Sequence, residues 1–396
     1  MAVRRGGKAA SFAEASNDLK ELAEVSISPT HVRRLCERVG AEWAAARDAE
    51  VQAFRERRLP PTVEAVPTVA AVMLDGGRLQ ARAEGAGRGV TDRHWRETKV
   101  ACCLTLSSTE KAIDPQPEPP AKFLETATVA RLAAEIKSRR SAGHGPRRAA
   151  AEKSEKKPRR QRSRRRRGPK KLVRTVVASL EKSDAFGYHV AAEVQRRRLG
   201  EARRKACVCD GSHWNWAIFA MHLLPWGFVG ILDFIHLVSY LYETAQIGAD
   251  AGESAWTLYE KWLRWAWAGA VVPLLADLKR VSARLGEPTP DAKETDPRKI
   301  AAETVTYVTN AQGRMNYAEY RRQGLPISSA PVESVIKQLN RRVKGTEKFW
   351  ISGGAESMLQ IRAAILSEDG RAERYAHRPR PRGRAVGGNR LGRRQK

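Results

Sequence analysis

PTVAAVMLDGGRLQAR, residues 67–82, sets an unbroken apolar run, Val69 to Leu74, against an acid and two glycines. A short apolar run bounded by turn residues is the pattern of a strand covered on both faces. Asp75-Gly76-Gly77 reads as a tight turn, since Asp-Gly and Gly-Gly tolerate the positive φ of hairpin turns. Residues 78–82 then read as the returning strand. This reading puts a carboxylate, Asp75, at the end of a central strand, and the other elements are placed around it.

Downstream, WRETKVACCLTLSS (residues 95–108) carries Trp95, Glu97 and Lys99 into an apolar stretch and predicts a third strand, making an antiparallel meander. FLETATVARLAAEIKSRR (123–140) has the spacing of an amphipathic helix, and LVRTVVASLEKSDAFGYHVAAEVQRRRLG (172–200) also reads as helical. KACVCDG (205–211) is a short buried strand ending at Asp210, and GFVGILDFIH (227–236) is another, containing Asp233 and His236. From Leu237 to about Gly324 the pattern is helical. The tract AWTLYEKWLRWAWAG (255–269) repeats Trp262, Trp265 and apolar neighbours as a packed helix face does. Pro331–Lys344 forms a further helix, with Glu333 in its first turn, where the helix dipole favours an acid. Upstream, residues 11–55 read as two helices, the second capped by Ser28 with Pro29 at its first position and bearing His31, Arg33, Arg34 and Arg38. That pair fits a helix-turn-helix as well as a plain helical hairpin with a solvated face.

The 72 Lys and Arg outnumber the 44 Asp and Glu, a formal net charge of +28. Such an excess is out of keeping with an ordinary soluble enzyme and implies a polyanionic partner, with DNA foremost and an anionic membrane surface second. It is concentrated in residues 141–171, where Arg159, Arg160 and Arg164, Arg165, Arg166 and Arg167 form part of an almost purely cationic arm. Such a segment cannot bury a core and is expected to be disordered, binding phosphates without sequence readout. Five cysteines, none in CxxC spacing, make neither a zinc site nor a disulfide framework and suit a reducing cytoplasm. The N-terminus lacks the apolar core of a signal peptide. Trp216–Ile235 is about the length of a membrane span, but His222, Pro225-Trp226-Gly227 and Asp233 favour a helix, a turn and a strand. The expected division is a helical segment (1–60), two parts of one α/β core (61–140 and 172–236) separated by the arm (141–171), an all-helical stretch (237–324), final core helices (325–367) and a disordered basic tail (368–396).

Singly, the acids have simple explanations: Asp75 as part of a turn, Asp210 and Asp233 as helix caps, Glu333 as a first-turn carboxylate. Together, carboxylates at the ends of buried strands and at a helix start converge on one edge of a sheet. Three of them can hold two divalent ions about 3.5–4 Å apart, an arrangement that serves phosphoryl transfer. Oxygen donors without a Cys/His set favour Mg²⁺ or Mn²⁺ over Zn²⁺. Either Asp210 or Asp233 could be the second acid, and His236 fits a core histidine as well as a catalytic one.

The order of elements and the stretches VMLDGGRLQAR with WRETKV, DGSHWNW, LDFIH and RMNYAEYRRQGLPISSAPVES with RRVKGTEKFW resemble the DDE transposases of bacterial insertion sequences, most nearly the branch related to Mutator-type elements. The resemblance covers about residues 65–365. It implies a ribonuclease H-like core, a mixed sheet flanked by helices and interrupted by an all-helical insertion. Asp75, Asp210 and Glu333 would be its metal ligands, with Asp233-x-x-His236 as an accessory pair near the metals or the scissile phosphate. The implied activity is Mg²⁺-dependent cleavage at transposon ends and strand transfer into target DNA, with two or more copies bridging the ends. Lys337, Asn340, Arg341 and Lys344 follow Glu333 along one side of its helix and are candidates for gripping phosphates. Val332, Val335, Ile336, Leu339 and Val343 take the core-facing side. Two other readings remain open: a ribonuclease H-like nuclease without strand transfer, and a catalytically silent DNA-binding descendant of a transposase.

Overall fold

The computed structural model describes residues 1–82, 94–141, 168–345 and 348–378. Arg159, Arg160 and Arg164–Arg167 fall outside them. Three helices open the chain: α1 (Ala2–Lys8), α2 (Phe12–Ala23) and α3 (Pro29–Arg55). They are followed by β1 (Val69–Ala81), β2 (His94–Ser107), α4 (Thr126–Ser141), β3 (Lys170–Ser179), α5 (Ser183–Arg196), β4 (Arg204–Cys209), α6 (His213–Ile218) and β5 (Val229–Leu232). Five helices come next: α7 (Phe234–Gly248), α8 (Ala255–Ala268), α9 (Val271–Leu285), α10 (Pro297–Ala311) and α11 (Tyr317–Arg322). The last elements are α12 (Ala330–Val343), β6 (Phe349–Trp350), α13 (Ser352–Leu366) and α14 (Arg371–His377).

The architecture is α/β, an open mixed sheet with helices on both faces. Its strand order is β3-β2-β1-β4-β5, with β6 pairing only with β1. β1 is antiparallel to β2 and parallel to β4, β2 is antiparallel to β3, and β4 is parallel to β5. Residues of β1 alternate between two cores, as strand pleating requires. Val69, Ala71 and Met73 join the larger one, with α7, α8, α12 and α13, while Ala70, Val72 and Leu74 join the smaller one beside α5. Both faces being covered explains why this segment reads as unbroken apolar sequence. No helix among the described residues is long and apolar enough to cross a membrane.

Three expectations fail. Asp75-Gly76-Gly77 is not a turn: β1 runs straight through it, with Asp75 opposite Val100, Gly76 opposite Lys99 and Gly77 opposite Thr98. Neither glycine has positive φ. They are small because neighbours press on them. A Cβ on Gly77 would lie 2.7 Å from Thr98 Oγ1 and 3.5 Å from Ile336, and one on Gly76 would lie 3.3 Å from Glu97 Oε1 and 3.6 Å from Trp214. The second failure is residues 172–179, which belong to strand β3 and not to a helix. Val173, Thr175, Val176 and Val177 are β-branched, and β3 pairs with β2 from Lys170 onward, taking Lys170 and Lys171 out of the arm.

The third is the start of the tail, where α14 is ordered against the body. Arg371 bonds Asp369 and reaches buried Glu193 at 2.5 Å, while Tyr375 lies 4.8 Å from Trp43. Composition counts the charges of such a segment but not their partners.

The N-terminal helices pack on the C-terminal ones. Arg342 Nε donates to the carbonyl of Gly6 at 2.8 Å and Arg362 Nη1 to that of Gly7 at 3.2 Å. α3 crosses α13 at Gly40, where a Cβ would stand 2.3 Å from the Ser357 carbonyl oxygen. Backbone cannot yield as a flexible side chain can, so Gly40→Ala is expected to cost about 1–3 kcal/mol or more. The check is the urea midpoint, which should fall at unchanged slope.

Candidate active site

Sheet register builds the site. Leu74 of β1 is aligned with Cys209 of β4, and Cys209 with Leu232 of β5. The next residue on each chain is Asp75, Asp210 or Asp233. Three acids therefore follow a single line across three parallel strands, spaced by roughly 4.8 Å per strand. Beyond that line β4 has ended, and β6 does not meet β1 until Gln80. Among the described residues no strand covers that edge of β1 between Asp75 and Leu79, and helix α12 packs on the sheet face beside it.

Each acid has its own support. Asp75 Oδ1 accepts from the Gly76 amide at 2.6 Å. Asp210 accepts from the Ser212 amide and hydroxyl at 3.0 and 2.9 Å, and from Asn215 Nδ2 at 2.7 Å. The motif DGSHWN thus folds back on its own acid before α6. Asp233 is fully buried. It caps α7 by accepting from the Ile235 amide at 2.8 Å, pairs with His236 Nδ1 at 3.0 Å and accepts from the Ser329 hydroxyl. One helical turn therefore explains the D-x-x-H spacing, and Ser329 ties this pair to the start of α12. The Phe234 amide adds a second tie, donating to the Ile327 carbonyl at 3.0 Å.

α12 brings Glu333 to the same place. Ligand atoms of Asp233, His236 and Glu333 lie within 4.8 Å of one another. On the same helix, Ile336 and Asn340 approach Gly77, so α12 covers the side of β1 toward which Asp75 points. Gly76 and its partner Lys99 face the other way, where Lys99 Nζ bonds Glu97 Oε2 at 2.8 Å and lies 5.3 Å from the Trp214 ring.

The electrostatics confirm the crowding. Burial and then the charge of Asp210 push the Asp75 carboxyl up to about 7; His236 opposes this and Glu333 adds to it. Burial works against charging His236, but its bond to Asp233 and the fields of Asp210 and Asp75 outweigh that and raise it to about 9. Burial likewise disfavours the Asp233 anion, yet His236, Ser329 and the Ile235 amide hold its carboxyl below the usual range. His236 thus stands among four carboxyl groups, and an acid raised to about 7 by burial first and by neighbouring acids second marks a place a cation would stabilise. The donor set of carboxylate oxygens with one imidazole fits Mg²⁺ or Mn²⁺.

The predicted site residues separate into three groups. Asp75, Asp210, Asp233, His236 and Glu333 converge. Along α12, Val332, Val335, Ile336, Leu339 and Val343 are buried, whereas Lys337, Arg341 and Lys344 are exposed. Lys337 Nζ reaches Glu135 of α4 at 2.6 Å, and Lys344 lies 5.6 Å from the Trp95 ring. Arg342, on the same helix, is buried against Phe12 and Trp350. Arg33 and Arg34 are exposed on α3.

Sequence reasoning missed Asn215, Ser329 and Tyr307. The ring of Tyr307 presses on Gly211, where a Cβ would be 2.3 Å away, and stacks 4.0 Å from Tyr240. Only Asn215 had a usable signal, its position within a capping turn. Ser329 and Tyr307 act across long sequence separations that no local pattern carries.

No protein-family model matches the chain, and a comparison with curated proteins finds no relative.

Proposed function

We propose that this chain is a DDE transposase with a ribonuclease H-like core, acting on DNA by phosphoryl transfer. The observation that carries the reading is the register line: Asp75 lies in β1 beside the point where β4 ends and Asp210 follows, and α12 holds Glu333 against Asp233 and His236, near enough to Asp75 to raise its carboxyl. A net charge of +28 supplies the polyanion partner. Asp75, Asp210 and Glu333 would hold the divalent ions. Bound Mg²⁺ or Mn²⁺ would supply charge stabilisation at the reacting phosphoryl group and activate the attacking water or 3′-hydroxyl. Asp233 orients His236 through Nδ1 and favours its cationic form, so its other nitrogen would offer a charged donor toward a phosphate oxygen. Lys337, Asn340, Arg341 and Lys344 position the DNA backbone along α12, and the arginine run 164–167 adds attraction without sequence readout. The helices within 237–324, α7 to α11, would form the insertion, and α10 leans Tyr307 onto the turn after Asp210.

Glu333→Gln tests the reading. With a duplex of the DNA flanking the gene and Mg²⁺ or Mn²⁺, cleavage should fall at least about 100-fold while affinity for the duplex changes by no more than a few-fold. Joined strand-transfer products mark a transposase, and cutting without joining marks a nuclease. A Gln variant that cuts at the wild-type rate removes Glu333 from the site.

A further inference from the structure

A second charged cluster stands where α3, α5 and α13 meet the end of β3. Ligand atoms of Asp48 on α3, Glu181 just past β3 and His189 on α5 lie within 4.8 Å of one another. Ser179 of β3 is aligned with Lys99 of β2, and Lys99 with Gly76 of β1. The cluster is therefore two strands, roughly 10 Å, away from β1 and separate from the acid edge.

Arg47 already sits in the cluster, and its bonds leave particular atoms open. Its Nη1 reaches Glu356, which also accepts from the Ser179 hydroxyl at 3.0 Å, the Leu180 amide at 2.8 Å and Gln360 Nε2 at 2.9 Å. Nη2 takes Asp48 Oδ1 at 2.8 Å and Glu181 Oε1 at 3.0 Å. Asp48 and Glu181 each keep a second oxygen for another partner. Three carboxylates against one guanidinium leave an excess of two negative charges. Burial raises the Glu181 carboxyl above its ordinary value; Arg47 opposes this, and Asp48 and Glu356 add to it.

His189 does not neutralise that excess. Its side chain is only 4 % exposed, and its Nε2 is aimed into the cluster, 3.4 Å from Glu181 Oε2. Nδ1 has no hydrogen-bond partner. Burial, and then the Arg47 charge, push the imidazole down to about 4, so near neutral pH it is uncharged and carries a lone pair. A neutral imidazole beside two surplus negative charges is a ligand for a cation.

We propose that Asp48, Glu181 and His189 bind a divalent transition-metal ion, Zn²⁺ foremost, with water completing a tetrahedron. Three protein ligands including an imidazole, with an open fourth position, make a zinc-type set, whereas Mg²⁺ demands oxygen ligands and gives up its waters reluctantly. Tetrahedral ligands about 2.0–2.1 Å from an ion stand roughly 3.4 Å apart, so the set closes by about 1 Å on binding. Asp48, with 58 % of its side chain exposed, has the freedom to turn inward. The ion pins α3 to the corner between β3 and α5, and so staples the N-terminal helices to the sheet. This role is independent of the acid edge.

The test uses the full chain, stripped of metal with a chelator and titrated calorimetrically with Zn²⁺ while excess Mg²⁺ competes at the acid edge. A saturable Zn²⁺ site should appear, and the melting temperature should rise by several degrees. Asp48→Asn and Glu181→Gln, both at side chains open to solvent, should each weaken that site at least about tenfold and remove the rise. Glu333→Gln should leave both unchanged. Co²⁺ in place of Zn²⁺ should give the wild type the strong visible absorption of a four-coordinate ion, and Asp48→Asn should lose it. Zn²⁺ binding that survives Asp48→Asn and Glu181→Gln together, or that Glu333→Gln abolishes, overturns the proposal. A metal-free wild type that takes up no Zn²⁺ overturns it as well.

Discussion

Asp75→Asn is expected to yield a protein that is harder to unfold and unable to cut DNA. Burial and neighbouring acids hold the Asp75 carboxyl at about 7, against an ordinary value of 3.8. A raised carboxyl contributes stability fully below its unfolded value and loses it as pH rises through the folded one, so at pH 8 the ionised group is a burden on the fold. For a sealed group that difference is worth up to about 4 kcal/mol. Asp75 is half-buried and partly screened by water, and about 1–3 kcal/mol is the expected gain for Asn at pH 8. The gain should vanish near pH 4. Melting curves at both pH values and cleavage assays on the same preparation check it, with cleavage expected to fall at least about 100-fold. A variant that is less stable at pH 8 and still cuts would make Asp75 a structural acid.

The second large effect separates the two candidates for the second acid. Asp233 has no exposed surface and accepts from three donors, one of them a histidine raised to about 9. Asp233→Asn leaves that imidazole without its counter-charge and disturbs the Ser329 tie, at a cost of about 3–5 kcal/mol. Asp210, half-buried and fed by its own turn, should tolerate Asn within about 1 kcal/mol while cleavage is lost. The His236 titration followed by NMR gives an independent reading: in Asp233→Asn its pKa should drop well below 9, and in Asp210→Asn only slightly. If Asp233→Asn folds normally and loses cleavage while Asp210→Asn still cuts, the second ligand is Asp233.

The apolar run of β1, the acids after β4 and β5 and the helix of Glu333 were legible because each rests on local pattern, whereas Asp75, expected at a strand end, lies within β1. What local pattern misjudged were residues whose role is set across the sheet. Gly76 and Gly77 carry a turn signature, yet the pressure of Thr98, Trp214 and Ile336 explains them better. Residues 172–179 alternate β-branched groups that fit helix and strand periods alike, and only pairing with β2 decides. Arg371 looked like part of a charged tail until Glu193 supplied a buried partner. Likewise the convergence of Asp75 with Asp210 depends on register, which one chain read in order does not contain.

The contact between the first and last helices bears on how the protein is made. Ribosomal synthesis releases α1–α3 first, together with the strands that carry Asp75 and Asp210. Glu333 and the helix that receives Gly40 emerge hundreds of residues later. Until α12 and α13 arrive, the nascent chain holds its cationic arm and two of the three proposed metal ligands, so it can attract DNA before it can cut it. A message truncated before residue 330 would therefore encode a competitor of the full-length protein for the same DNA.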